Sequence, residues 1–273
     1  ITALIISFII GPITIKKLQQ YQIGEEIRSN GPESHLAKRG TPTMGGVIII
    51  LSTLLPTLLF SDLSNIMVLI IALSTLWMGV IGFIDDYLKI IIKAKDGMIA
   101  RYKMIGQILL GVIISYAIIN SNDFNGFNTK TTIPFFKNFE FDFGIFYPLL
   151  VILVITATSN AVNLTDGLDG LAIGLLAICF TVFTAISYIS GRVDFSDYLN
   201  ILYLPKASEL SIFASAAVGA CLGFLWFNSS PAEIFMGDTG SLSLGAALGT
   251  MSILLKKELL LFIICLLYTS PSP

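Results

Sequence analysis

Residues 66–89 read IMVLIIALSTLWMGVIGFIDDYLK, and this stretch decides the fold. Across 66–84 no charged residue interrupts it; Asp85, Asp86 and Lys89 then arrive together. A bilayer core takes about 20 predominantly apolar helical residues. A run of this length that ends on adjacent carboxylates therefore reads as a membrane span with a polar task at its mouth. The pattern recurs along the chain, with apolar stretches at 1–15, 44–62, 104–121, 145–163, 168–190, 210–227, 238–255 and 259–268. Several are near the short limit for a span, and the Gly and Pro inside them are tolerated in membranes. A soluble all-helical protein would need amphipathic faces to wet so much helix, and none are left over. The expected fold is an all-α, polytopic transmembrane helical bundle with about eight spans and a partial ninth.

Composition agrees. Of 273 residues, 55% are hydrophobic and 12% charged, where a soluble domain carries about 25% charged residues. Lipid is the solvent this implies. The net charge of −2 says little about partners, because placement matters more than the sum, and no nucleic-acid partner is expected. Cys179, Cys221 and Cys265 each sit inside an apolar run without a CxxC pairing, so buried thiols are expected rather than a disulfide or metal framework. The chain opens at Ile1 within an apolar run, without an initiator Met or a signal-peptide layout. The last apolar run gives way to Tyr-Thr-Ser-Pro-Ser-Pro at 268–273. The reading is one integral membrane domain over 1–267, incomplete at both ends, with a non-native or disordered tail at 268–273.

Lys and Arg in the connections set the expected orientation. If the first span ends in the cytoplasm, ten of them fall inside, from Lys16 to Lys103, and six outside, from Lys130 to Lys257. Alternation then brings Asp85–Asp86, Asp166 with Asp169, and Asp238 to one face. A lone Asp near a span end is ordinarily an interfacial anchor. Five carboxylates from three connections on one face point to function, because ionisable groups at membrane depth are costly.

Four segments carry chemistry. In Phe83-Ile84-Asp85-Asp86-Tyr87-Leu88-Lys89, adjacent carboxylates need a cation, a shared proton or a nearby Lys. An interfacial ion pair and a base or Mg²⁺ ligand beside phosphate-binding Lys89 and Lys93 are equally good readings of this motif alone. Residues 159–170 place Asn160, Asn163, Asp166 and Asp169 at every third position, so neighbours in the series share a face of a helix while the stripe drifts around its axis. Gly167 and Gly170 allow the backbone to break there. Amides and carboxylates together can read a base edge and ribose hydroxyls. In Phe235-Met236-Gly237-Asp238-Thr239-Gly240-Ser241, Asp238 or Thr239 could simply N-cap the following helix. The same helix N-terminus favours anions, and a carboxylate there can hold Mg²⁺ through oxygen. Phe235 could stack on a base or anchor in lipid. The fourth segment, 34–46, joins Lys38 and Arg39 to the Gly-rich turn before a span without the Walker A spacing; His35 reads as a loop residue.

Taken together, these motifs resemble bacterial phospho-N-acetylmuramoyl-pentapeptide transferases. The residues that carry the resemblance are Gly31-Pro32-Glu33-Ser34-His35, Thr41-Pro42-Thr43-Met44-Gly45-Gly46, Asp85-Asp86-Tyr87, the run from Asn160 to Gly170, Phe235-Met236-Gly237-Asp238 and Pro134-Phe135-Phe136-Lys137. The likeness covers residues 8–267 in order. Single motifs are shared with the wider superfamily of polyprenyl-phosphate N-acetylhexosamine-1-phosphate transferases. The resemblance implies ten transmembrane helices in the plasma membrane and a Mg²⁺-dependent reaction at the cytoplasmic face. UDP-MurNAc-pentapeptide and undecaprenyl phosphate would give lipid I and UMP, an early step of peptidoglycan synthesis.

The resemblance also implies roles. Asp238 would hold Mg²⁺; Asp85 would be the base or orient the lipid phosphate, with Asp86 beside it. Asn163 and Asp166 would line the nucleoside pocket with Asp169 nearby, Phe235 would stack on uracil, and Asn228 would support the pocket. Lys38, Thr43, Lys93 and Lys103 would contact or position phosphates. Besides the two substrates, membrane lipid is an expected partner, and a homodimer is allowed. The family's His-rich loop near the C-terminus is not in this sequence, which the reading attributes to truncation. A sister enzyme that uses UDP-GlcNAc is the near alternative. A transporter is the distant one, and it would put polar residues near mid-span rather than at span ends.

Overall fold

A computed structural model describes residues 1–20, 41–92, 97–124, 126–133, 136 and 140–261. His35, Lys38, Lys93, most of the 134–137 run, residues 262–268 of the last apolar stretch and the 268–273 tail lie outside them. The chain is a polytopic bundle of helices. In order these are α1 (Thr2–Gln20), α2 (Gly46–Phe60), α3 (Ile66–Ile90), α4 (Ala100–Ile119), α5 (Tyr147–Thr165), α6 (Leu171–Ser190), the short α7 (Val193–Leu199), α8 (Leu210–Asn228) and α9 (Gly237–Leu254). Between α4 and α5 lies a two-stranded antiparallel hairpin, β1 (Lys130–Thr132) and β2 (Glu140–Asp142), with Thr131 opposite Phe141.

Six helical segments among the described residues are long and apolar enough to cross a membrane: Thr2–Gln20, Ile66–Ile90, Ala100–Ile119, Gly144–Thr165, Leu171–Ser190 and Ala207–Asn228. Helix α2 is apolar but shorter. Helix α9 is absent from the six for a different reason: its surface is mostly Gly, Ala, Ser and Thr, so its apolarity is low. The two expected spans that fall short do so on length and on polarity.

The helices expose apolar faces that a soluble protein would bury. On α4 the buried side mixes Gly106, Gln107, Gly111 and Ser115 with Leu110, Ile114 and Ile118, while Ile105, Ile108, Leu109, Val112 and Ile113 face outward. Outward apolar faces recur on α2, α3, α5 and α6, with Leu59, Leu76, Leu153 and Ile178 among the exposed residues. Apolar patches larger than a few hundred Å² are rare on soluble monomers, and lipid is the solvent that such surfaces suit.

Since lipid tails are as apolar as Leu, helices associate in a membrane through close packing and polar contacts rather than hydrophobic burial. Helix α9 shows both. Every residue from Thr239 to Leu254 is buried. Its closest partners are α3 and α5. Thr250 donates a hydrogen bond to Ser74 of α3 at 2.9 Å. Its Gly245 and Gly249 abut Ser159 and Thr158 of α5. At the periphery, Ala3, Ser7 and Gly11 of α1 pack one turn apart against Gly219, Gly223 and Phe227 of α8. Cys179 and Cys221 are buried.

These contacts run α9 antiparallel to both α3 and α5. The C-terminal ends of α3 and α5 therefore meet the N-terminus of α9 at one end of the bundle. At the other end a buried polar cluster ties the hairpin to the chain after α9. Lys256 donates to the Tyr147 hydroxyl at 2.7 Å and to the Asn128 carbonyl at 3.1 Å. Tyr147 in turn donates to Glu258 at 3.3 Å, and Thr131 donates to the same carboxylate. Burial pushes the Lys256 ammonium down to about 8, against the opposing pull of Glu258. Tyr147→Phe leaves both buried charges short of a partner, at an expected cost of about 1–3 kcal/mol. It should lower the unfolding temperature in detergent while turnover per folded molecule is unchanged.

Candidate active site

The polar end of the bundle is organised around Asp85, Asp86 and Asp238. Each offers one oxygen, and the three lie within 4.8 Å of one another. Asp85 and Asp86 occupy the last turns of α3. Successive side chains on a helix of 3.6 residues per turn diverge by roughly 100°, so the two neighbours address different surroundings.

Asp85 has no exposed surface. Its Oδ1 accepts from the Met98 backbone N–H at 2.6 Å, in the segment before α4. Its Oδ2 lies 2.6 Å from Lys89 Nζ and 2.8 Å from Lys103 Nζ. Asp238, in the first turn of α9, meets the same two ammoniums through its own Oδ2, at 3.0 Å from Lys89 and 2.6 Å from Lys103. Two carboxylates from different helices are thus bridged by two ammoniums, and the four formal charges cancel. The Asp238 Oδ1 accepts from Asn163 Nδ2 at 2.9 Å, and the same amide donates to Ser241 at 2.8 Å.

The close approach of α9 to α3 depends on Gly82. A Cβ at that position would lie 2.2 Å from the Asp238 carbonyl oxygen and 2.7 Å from Thr239 Cα. Both are backbone atoms that cannot swing aside. Behind the centre, buried Gln107 of α4 donates to Ser159 at 3.0 Å and accepts from Asn160 at 3.3 Å.

The expected residues divide into two groups. Asp85, Lys103, Asn163 and Asp238 form one connected centre. Thr43 is buried beside it, with its hydroxyl 2.9 Å from where a Cβ on Gly237 would sit. The turn from Pro42 to Gly46 is laced to the chain before α9. Phe235 N–H donates to the Pro42 carbonyl at 2.8 Å, Gly45 N–H to Phe235 at 2.9 Å and Gly46 N–H to Met236 at 2.8 Å.

Asn228 holds loops together: its Oδ1 accepts from Gly170 N–H at 3.0 Å and its Nδ2 donates to the Ile234 carbonyl at 2.9 Å. The every-third-residue stripe does not continue as one helix face. Helix α5 ends at Thr165, Asp166 takes the C-cap position, and Asp169 falls in the turn before α6. Both carboxylates and Phe235 are half-buried.

One of the alternative readings of the 235–241 motif fails. Neither Asp238 nor Thr239 N-caps α9, because the helix begins at Gly237 with Met236 at the N-cap position. Their backbone amides instead need an acceptor from elsewhere, and Asp86 supplies it. Lys89, expected as a phosphate-binding lysine in one of two readings of its motif, pairs with Asp85 at the spacing of four that suits a helical ion pair. Gln107 was missed; a lone amide within an apolar run was the signal.

The donor set suits a hard divalent cation, which prefers carboxylate oxygens. Asp85 and Asp238 fit that role, since their Oδ2 atoms already converge on shared cationic groups. Asp86 fits less well, because its oxygens face the backbone of α9.

A fold of apolar spans with carboxylates and lysines gathered at one mouth describes a membrane protein equipped for anionic substrates. The family described as Glycosyl transferase family 4 matches residues 68–256, which include Asp85, Lys103, Asn163 and Asp238. A phospho-N-acetylmuramoyl-pentapeptide-transferase signature matches residues 38–50. The chain is 50% identical to the phospho-N-acetylmuramoyl-pentapeptide-transferase of Citrifermentans bemidjiense, over 97% of its own length and 73% of that protein's. Against the enzymes of the same name from Chloroherpeton thalassium and Parabacteroides distasonis it is 48% and 43% identical, over 96% and 97% of its own length and 71% and 72% of theirs. This chain belongs to the phospho-N-acetylmuramoyl-pentapeptide-transferase family.

Proposed function

We propose that this protein transfers phospho-MurNAc-pentapeptide from UDP-MurNAc-pentapeptide to undecaprenyl phosphate, with lipid I and UMP as products. It would act with Mg²⁺ from the cytoplasmic side of the plasma membrane. The observation that carries this reading is the pairing of Asp85 and Asp238 across two lysines at the mouth of an apolar bundle. Such a mouth can receive a water-soluble nucleotide from one side and a lipid phosphate from the other.

Phosphoryl transfer asks little covalent work of a protein beyond positioning and charge neutralisation. An oxygen of the lipid phosphate attacks the phosphorus attached to the sugar. A new P–O–P bond forms as the original pyrophosphate bond breaks, and the electron pair leaves with UMP. The acceptor phosphate is already ionised near neutral pH, so charge balance matters more than a strong base.

Asp238 and Asp85 are the residues that would hold Mg²⁺, which when bound supplies positive charge to the pyrophosphate oxygens. Lys89 and Lys103 neutralise the phosphates. Asn163 orients Asp238 through its amide. Asp166, Asp169 and Phe235 are assigned to the nucleoside and sugar, and Lys38, Thr43 and Lys93 to phosphate positioning.

The test is UMP release by the purified protein with undecaprenyl phosphate, Mg²⁺ and one of two nucleotide sugars. Release with UDP-MurNAc-pentapeptide and not with UDP-GlcNAc is the expected result. The reverse preference would move the chain to the sister activity, and solute movement without UMP would move it to transport.

A further inference from the structure

The first turn of any α-helix leaves backbone N–H groups without intrahelical partners, and inside a membrane protein an unsatisfied one costs several kcal/mol. Helix α9 meets this problem at the site itself. Its N-cap residue is Met236, whose side chain makes no capping hydrogen bond. The free amides are instead met from α3. Asp238 N–H donates to Asp86 Oδ1 at 3.1 Å, Thr239 N–H donates to Asp86 Oδ2 at 2.9 Å, and the Thr239 hydroxyl donates to the same Oδ2 at 2.6 Å.

These are the second and third residues of α9, the amides that an N-cap side chain ordinarily satisfies. The chain enters the helix through Gly237 at φ +71°, and a Cβ there would lie 2.7 Å from Asp86 Oδ2. Asp86 is 4% exposed, and three of a carboxylate's roughly four lone-pair sites are occupied.

We propose that Asp86 is a positioning residue: an N-cap supplied across the bundle by α3, which fixes the backbone of Asp238 so that its carboxylate meets Asp85, Lys89 and Lys103. The adjacent pair in the sequence then divides two tasks. Asp85 faces the cations, and Asp86 faces the helix that delivers the second carboxylate. A base or a metal ligand needs an oxygen turned toward the reactants, and both oxygens of Asp86 are turned toward α9.

The side-chain chemistry explains why a carboxylate serves here. Three donors converge on two oxygens. Asn would keep one oxygen and set its NH₂ against a backbone N–H in either orientation. This inference rests on the reading of Asp238 as the metal carboxylate, and the experiment separates the two.

Asp86→Asn, Asp86→Ala, Thr239→Val and the Asp86→Asn/Thr239→Val double variant would be compared with Asp238→Asn in the purified, detergent-solubilised protein. Turnover against pH, thermal unfolding and binding of Mn²⁺ by electron paramagnetic resonance would be recorded. Misplacement of a reacting group by about 1 Å can cost about 100-fold, so Asp86→Asn should lower kcat about 10- to 100-fold. Asp86→Ala should lower it further, and partial rescue by Asn is the mark of a cap. The pH profile should keep its shape, Mn²⁺ should still bind, and the effects of Asp86→Asn and Thr239→Val on kcat and on unfolding should be non-additive, because they remove two ends of one contact.

Four results would overturn the proposal. They are loss of Mn²⁺ binding in Asp86→Asn with normal unfolding, loss of a limb of its pH profile, strict additivity with Thr239→Val, or a lower unfolding temperature with kcat intact. Retention of Mn²⁺ by Asp238→Asn would sink the metal reading instead, while the coupling of Asp86 to Thr239 in unfolding would still report the cap.

Discussion

Asp238→Asn is expected to lower turnover by about 100- to 1,000-fold, on the scale of losing an electrostatic group at the reacting centre, while the protein stays folded. The geometry gives the reason. Among the described residues, Asp238 alone touches both lysines, through Oδ2, and the Asn163 amide, through Oδ1. Asn is isosteric and keeps an acceptor, so helix α9 and its packing against Gly82 are undisturbed. What it removes is the charge. With Asp85 left as the one carboxylate facing two ammoniums, the centre changes from neutral to positive, and a divalent cation is no longer favoured there.

The measurements are UMP release at saturating Mg²⁺, Mn²⁺ binding by electron paramagnetic resonance, and unfolding in detergent. Full activity in a folded Asp238→Asn protein would remove the metal assignment. Unfolding of the variant would show instead that the carboxylate holds the helices together.

How much of this was legible in the sequence depends on the scale of the interaction. The span at 66–84 was plain, because a long uncharged run has few alternatives, and the structure carries it as α3. The gathering of Asp85, Asp86 and Asp238 at one end followed from alternation of spans, since antiparallel neighbours bring every second connection together. The end of the 159–170 stripe was only half legible. Gly167 and Gly170 signalled a break but not its position, and α5 stops at Thr165.

What could not be read was which way each side chain points. Asp85 and Asp86 are identical residues one step apart, and their separate surroundings come from α4 on one side and α9 on the other. The cap of α9 was not legible for a related reason. Asp-Thr before a helical run suggests a local cap, and a cap contributed by a distant helix has no signature in the nearby sequence.

The second large effect is expected at Lys103, and its sign with respect to metal is opposite to that of Asp238. Lys103 comes from α4 and is 20% exposed, while Lys89 shares α3 with Asp85 and is 40% exposed. Between opposite unit charges about 4 Å apart, the attraction is roughly 4 kcal/mol at an effective dielectric constant near 20, and screening by water weakens it most at the more exposed partner. Lys103 is therefore the stronger of the two contributors.

Lys103→Met keeps the apolar stem of the side chain and deletes the ammonium, leaving two carboxylates facing Lys89 alone. The excess negative charge favours a divalent cation, so less Mg²⁺ should be needed for half-maximal rate. The phosphate that Lys103 would neutralise loses its partner, so kcat/KM should fall by about 100- to 1,000-fold, as when a single preorganised donor is removed. Lys89→Met should fall less, because water already shares its charge. Magnesium titrations of the two variants, run beside substrate titrations, read both effects at once. If Lys103→Met needs more Mg²⁺ rather than less, its ammonium does not compete for the carboxylates, and the bridged pair of Asp85 and Asp238 is not where the cation binds.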